Sequence, residues 1–455
     1  MKSKLLLLHL ISFLFAGFTM GAAKERVSNP NSKDSLILES IFPFQEQHCH
    51  GSTIVELPNK DLLVAWFQGS GERTSDDVAI KGARYNHKTR QWGQPFVLAD
   101  TPDFPDINPV LFVDNKSQLW LVWYTVMAYQ WSSSLLKYRI SDNFMQKDGA
   151  PLWKWQDVLH VKADGQPTEG IGENDQFVKT LSRKFDEYYK YLSESGQIKN
   201  IGERAMTQER MDRVRNLYLG IAKGNNLLAD GNEVNTAGEK VKKQLGYPLM
   251  RRIGWQTRNK PVFIGNRMIL PLYSDGLNLS LMAITENGGQ TWKFSEPILG
   301  GGAIQATLAL NQDGSATVLM RDNGPAPKRL MTSTSKDGGF TWSSVVDTEV
   351  PNPGTAADVV VLKSGNWALV CNDIEDGRHR MSVWLSKDEG KTWPYHKTIV
   401  NGLPGSAVRG HYPAIIQGQD GKIHLSYTNQ IAGKAGGPDV KNIVHAVFSE
   451  EWLMH

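Results

Sequence analysis

The chain has 455 residues, 40% of them hydrophobic, enough to bury a large core in one domain with some decoration. A net charge of +3 gives no electrostatic case for a nucleic-acid partner or a membrane surface. Two cysteines, Cys49 and Cys371, cannot build a disulfide framework and are expected as free, buried thiols in non-adjacent repeats.

In chain order, Lys2 and Lys4 lead an apolar run from Leu5 to Phe18, and Gly21, Ala22 and Ala23 follow as small residues suited to cleavage. Residues 1–23 therefore read as a signal peptide cleaved near Ala23, which implies a secreted or periplasmic protein. The run is too short to span a membrane comfortably. Residues 35–42 form a strand-like segment with no turn partner of its own, expected to complete the last unit and close a ring. The first full unit alternates through residues 51–57, turns at Asn59 and Lys60, and returns through residues 62–67. Units of this kind, each leading to a Trp at 92, 155, 292, 342, 393 or 452, give about six small antiparallel sheets. That is the pattern of a β-propeller. The expected class is all-β: a six-bladed propeller over residues 34–455.

Residues 163–249 break this rhythm between the second and third units. Phe177, Leu181, Phe185, Tyr188 and Leu192 recur at helical spacing, followed by Met211, Val214, Leu217, Tyr218 and Ile221. A pair of amphipathic helices packed on the propeller rim is expected. Further on, Ser335-Lys-Asp337-Gly-Gly339-Phe-Thr341-Trp342 recurs about fifty residues later as Ser386-Lys-Asp388-Glu-Gly390-Lys-Thr392-Trp393, with a looser copy from Thr285 to Trp292. Asp or Asn before Gly marks a tight turn, because both tolerate positive φ.

The phrase fits an S-x-D-x-G-x-T-W Asp box, and the chain resembles the sialidase (neuraminidase) superfamily of propellers. The resemblance implies that these boxes are rim turns without catalytic roles. It implies a substrate carboxylate clamped by arginines, a tyrosine nucleophile assisted by a glutamate, and an aspartate acid/base. Arg321 and Arg378 match the second and third arginines, and Tyr412, in Arg409-Gly-His-Tyr-Pro413, matches the nucleophile. Two positions depart from the pattern, and a third is open among neighbouring carboxylates. His50 stands where the first arginine would be, Gln305 replaces the assisting glutamate, and the acid/base falls in a loop where Glu72, Asp76 and Asp77 are all candidates.

A phenol of pKa ≈ 10 costs roughly 4 kcal/mol to ionise near neutrality unless a base or cation helps. Gln305 cannot take the proton, whereas histidine can. His48 and His50 lie two apart on a strand and face the same way, and His411 adjoins Tyr412. Arg258 opens the third unit, where inner strands deliver side chains to the axis, and is expected to join Arg321 and Arg378 as a substrate ligand. No metal-ligand spacing occurs, so no cofactor or metal is expected. Three functions fit: a sialidase-type exo-glycosidase removing a terminal acidic sugar, a propeller lyase or rhamnosidase acting at a uronic acid with His/Tyr chemistry, or a glycan-binding propeller without catalysis. The partner in each case is a glycan with an acidic sugar.

Overall fold

Six antiparallel sheets, at residues 48–99, 106–158, 255–294, 304–351, 358–401 and 408–448, make up the computed structural model, which describes residues 24–27, 35–163, 174–196, 206–223, 249–433 and 437–455. Each sheet is a blade. The first strands of successive blades touch one another around a common axis, and the sixth touches the first. The architecture is thus a closed six-bladed propeller.

Second strands sit between neighbouring blades, so both of their faces are covered. Leu62–Gly69 and Leu119–Val126 are buried along their whole length, which explains why they read as unbroken apolar runs rather than alternating ones. The core fills the spaces between blades, where Trp66, Trp120 and Trp367 are completely enclosed. Cys49 and Cys371 are buried, free, and sit in blades one and five.

Closure joins the two ends of the chain. Leu36–Ser40 pairs with Val440–Phe448, matching Ile37 to Val447 and Ser40 to Val444, and Lys24–Val27 adds a further strand outside it. The expected signal peptide, residues 1–23, lies outside the described residues.

The repeated turns owe their shape to one carboxylate. Asp337 accepts from the backbone N–H groups of Phe340 and Thr341, both at 3.0 Å, and from the hydroxyls of Ser335 and Thr341 at 2.8 and 2.7 Å. Ser335 pairs with Ala316, whereas Arg321 ends that same strand five residues later, about 17 Å away. The Asp388 turn is likewise at the opposite end of blade five from Arg378, since Ser386 pairs with Trp367 and Ser382 with Cys371. Trp342 and Trp393 are plugs as expected. Trp155, by contrast, is 55% exposed on an outer strand, and Trp452 lies in a terminal helix, Glu450–Met454, rather than on a turn.

Between blades two and three the described residues form two helices, α1 (Gln176–Glu194) and α2 (Gln208–Ala222). Asp175 caps α1 by accepting from Val178 N, and Thr207 caps α2 by accepting from Arg210 N. All five expected α1 residues are buried and join the core of the first three blades. In α2 the buried stripe is Met211, Leu219 and Ala222, and Leu217 is 58% exposed. A step of six from Met211 carries Leu217 past the packed face, whereas steps of eight and eleven return to it. Arg251, fully buried, anchors the insertion by pairing with Asp175 at 2.6 Å under the Phe177 ring.

Candidate functional site

Four inner strands carry the same irregularity. A β-bulge interrupts pairing after His50, Ile107, Ile304 and His411 in blades one, two, four and six. The residue in or beside each bulge has left-handed backbone: Gly51 (φ 65°), Asn108 (46°), Gln305 (55°) and Tyr412 (46°). Bulges re-aim side chains, and Asn108, Gln305 and Tyr412 all line one axial cavity of about 340 Å³. Gly51 is required at its position, because a Cβ there would lie 2.5 Å from Asn108 Oδ1.

Tyr412 is the centre of this cavity. Its hydroxyl lies 3.2 Å from Arg321 Nη1 and 3.2 Å from Gln305 Nε2, and both groups donate to it. Gln305 Oε1 in turn accepts from Arg321 Nη1 at 2.9 Å. With both lone pairs of the phenol engaged, its own proton is left for the cavity. Gln305 also reaches Tyr273 OH at 3.3 Å, and Asn108 Nδ2 reaches the Tyr124 and Tyr273 hydroxyls at 3.0 and 3.4 Å, completing a polar floor.

The histidines flank the ring. His50 lies against Tyr412 with centroids 4.3 Å apart, and His411 is edge-on to His50. Arg378 Nη1 donates to His411 Nδ1 and Lys441 Nζ to His48 Nδ1, both at 2.8 Å. Each donation fixes the tautomer, placing the proton on Nε2, and neither Nε2 has a partner among the described residues. Burial, with Lys441 adding to it, lowers His48 to about 4. Burial and the cations Arg378 and Lys441 also hold His50 and His411 well below the usual imidazole range. All three are neutral near pH 7.

Two carboxyls face these cations. Burial raises Glu72, partly offset by Lys441, Arg73 and Arg378, and burial raises Asp275, partly offset by Arg321. Both therefore hold their protons to higher pH than ordinary acids. Arg321, Arg378, Lys441 and Arg73 all line the cavity, so four cations meet two reluctant anions.

Of the residues singled out from sequence, His48, His50, Glu72, Gln305, Arg321, Arg378, His411 and Tyr412 line this cavity. Asp76 and Asp77 do not. Asp76 accepts from Tyr129 OH at 2.8 Å, and Asp77 closes its own loop by accepting from Ser70 N and Oγ at 2.9 and 2.8 Å. Arg258 is displaced too. It is buried beneath the cavity, donating to the carbonyls of Ser52 and Pro413 at 3.2 and 2.8 Å, with its guanidinium over the Tyr412 ring at 5.2 Å. Its guanidinium packs against Tyr412 and is not part of the cavity lining. Lys441, Arg73 and Asp275 were missed. Lys441 is an ordinary strand residue without a signal, whereas Asp275 follows a second strand as Arg321 ends one, so aligning the blades would have found it.

Residues 60–185 and 253–425 match the BNR repeat-like domain family. A sialidase of Paraclostridium sordellii is 30% identical over 99 residues, 21% of this chain and 23% of that protein, so the match spans about a quarter of that relative's length. Among solved structures, a Dyadobacter fermentans protein of unknown function aligns with a TM-score of 0.57 at 12% identity, covering 94% of this chain and 99% of its own. The intramolecular trans-sialidase of Ruminococcus gnavus, in complex with oseltamivir carboxylate, aligns with a TM-score of 0.53 at 17% identity, over 89% of this chain and 95% of that one. At such identities the likeness is one of fold.

Proposed function

Since the chain belongs to the BNR repeat-like family and has a sialidase-like propeller fold, we propose that it is an exported exo-glycosidase of sialidase type that removes a terminal acidic sugar from a glycan. The observation that carries this reading is the Tyr412 hydroxyl, held by Arg321 and Gln305 in a cavity shared with Arg378 and Glu72. Arg378, Lys441 and the free Nε of Arg321 receive the sugar carboxylate, with the Nε2–H groups of His48 and His411 as further donors. The Tyr412 oxygen attacks the anomeric carbon, Glu72, whose carboxyl burial raises above the usual range, gives its proton to the leaving oxygen, and water then frees the sugar from Tyr412. Gln305 has no basic atom, so we assign the phenolic proton to the neutral His50 imidazole, whose ring lies 4.3 Å from the Tyr412 ring and whose Nδ1 is 3.1 Å from Thr428 Oγ1, while Arg321 steadies the phenolate.

A second reading draws on the same histidine. His50 as base and Tyr412 as acid, with no carboxylate on the phenol, also suit β-elimination at a uronic acid, the arginines neutralising its carboxylate.

Incubation with sialosides and with uronate-containing oligosaccharides separates the two. Release of free acidic sugar without new ultraviolet absorbance supports the glycosidase; absorbance of a new double bond supports the lyase. In either case Tyr412→Phe should abolish turnover while leaving ligand binding largely intact. Arg321→Lys should cost about 2–3 kcal/mol of ligand or transition-state binding, because it keeps charge but loses the planar fork. Unchanged kinetics in both variants would remove this cavity from consideration.

A further inference from the structure

A second cavity, of about 450 Å³, opens between the helical insertion and the loops of blades three and four. Phe185, Tyr188 and Tyr189 of α1 and Tyr218 of α2 form one wall. Backbone and amides form the other, from residues 300–302 and the side chains of Asn278 and Asn323. That wall is glycine by necessity. A Cβ on Gly301 would sit 2.8 Å from the Tyr188 hydroxyl, and one on Gly302 (φ 81°) would sit 2.5 Å from Asn323 Cβ.

Aromatic faces opposite amide and main-chain groups match a pyranose ring, which has an apolar C–H face and a rim of hydroxyls. The lining differs from that of the axial cavity: two cations, Arg210 and Lys328, are present, but no histidine and no carboxyl line it among the described residues. The two cavities are neighbours through shared loops. Asp275 lines the axial one and Asn278 this one, and Arg321 and Asn323 divide in the same way. Three residues of chain reach at most about 11 Å. Gly354, on the axial side, leaves room for Asn323, whose Oδ1 would lie 2.9 Å from a Cβ there.

We infer that this cavity is a second carbohydrate site, built by the helical insertion, that holds a neutral sugar unit of the glycan whose acidic end occupies the axial cavity. The link to one glycan rests on the function proposed above; the class of ligand rests on this cavity alone.

Lactose, a neutral disaccharide, serves as the probe in saturation-transfer NMR on the full chain. Wild type and Arg321→Lys should bind it alike, Tyr218→Ala and Asn323→Ala about tenfold more weakly, and Tyr218→Phe nearly as wild type. No binding to wild type, or loss in Arg321→Lys without loss in the Tyr218 and Asn323 variants, overturns the site. The kinetic arm compares an acidic sugar on a small synthetic leaving group with the same sugar on lactose. Tyr218→Ala should lower kcat/KM about tenfold on the lactoside alone, and equal loss on both overturns the single-glycan link. If neither substrate turns over, the proposed activity has failed while the lactose titration still decides the site. Asn323→Ala lies on the wall opposite α2, so agreement between it and Tyr218→Ala guards against a local folding defect.

Discussion

Gln305 donates to Tyr412 from Nε2 while its Oε1 accepts from Arg321, so the amide fills the place where a carboxylate would both accept the phenolic proton and pair with the guanidinium. Gln305→Glu should therefore raise the hydrolysis rate on a sialoside about tenfold or more, read as initial velocity near neutral pH. A rate no higher than wild type would mean that proton removal from Tyr412 does not limit the reaction. Next to Arg321, burial lifts Asp322 to about 7, although it accepts from the backbone N–H groups of Gly324 and Arg329. Its folded pKa exceeds the unfolded value of 3.8, so the folded state binds more protons and this residue's contribution to stability falls as pH rises from about 4 to about 7. The loss is at most about 4 kcal/mol. Asp322→Asn should be flatter over that window, gaining on wild type between pH 5 and pH 8 in denaturant unfolding. Much of the axial cavity was legible one residue at a time, because spacing to local turns pointed to Arg321, Arg378 and Tyr412. Arg258 was legible as an inner-strand arginine but its partners were not, since the carbonyls it satisfies, those of Ser52 and Pro413, are freed by bulges that leave no mark in sequence.

At the level of elements, the bulged inner strands and the Asp turns divide the work of a blade between its two ends. Asp337→Ala removes an acceptor of several short hydrogen bonds and should cost about 1–2 kcal/mol of stability with kcat and KM unchanged, because Arg321 is at the other end of the blade. Gly51→Ala puts a side chain on left-handed backbone and into Asn108; melting temperature and activity should fall together, with a cost of about 1–3 kcal/mol. The turns were legible because their chemistry is local: an Asx side chain, a glycine and a following threonine suffice. The bulges were not, since Asn, Gln and Tyr adopt positive φ here only because neighbouring blades hold them there. The helices fall between these cases. The stripe of α1 was readable in full, whereas α2, with one face half open, misled at Leu217.

Across the whole molecule, the blade count was legible because six similar units leave few other ways to cover their edges. The second cavity was not, as it arises where an insertion meets loops from two blades. An axial cluster of cations should make the fold sensitive to anions: a sugar acid present at 100 times its Kd adds about 2.7 kcal/mol, visible as a rise in melting temperature that Arg378→Lys reduces. Deleting residues 24–42 should strip the outer strands from blade six, lower the melting temperature and promote aggregation, measured by calorimetry and light scattering. That closing strand also sets an order in time. Leu36–Ser40 has only Lys24–Val27 beside it until Val440–Phe448 follows about 400 positions later, so for nearly the whole of synthesis its inner edge is unpaired. Histidines on the first blade and the tyrosine on the last come together only when the ring closes, so assembly of the axial cavity reports the completion of the chain.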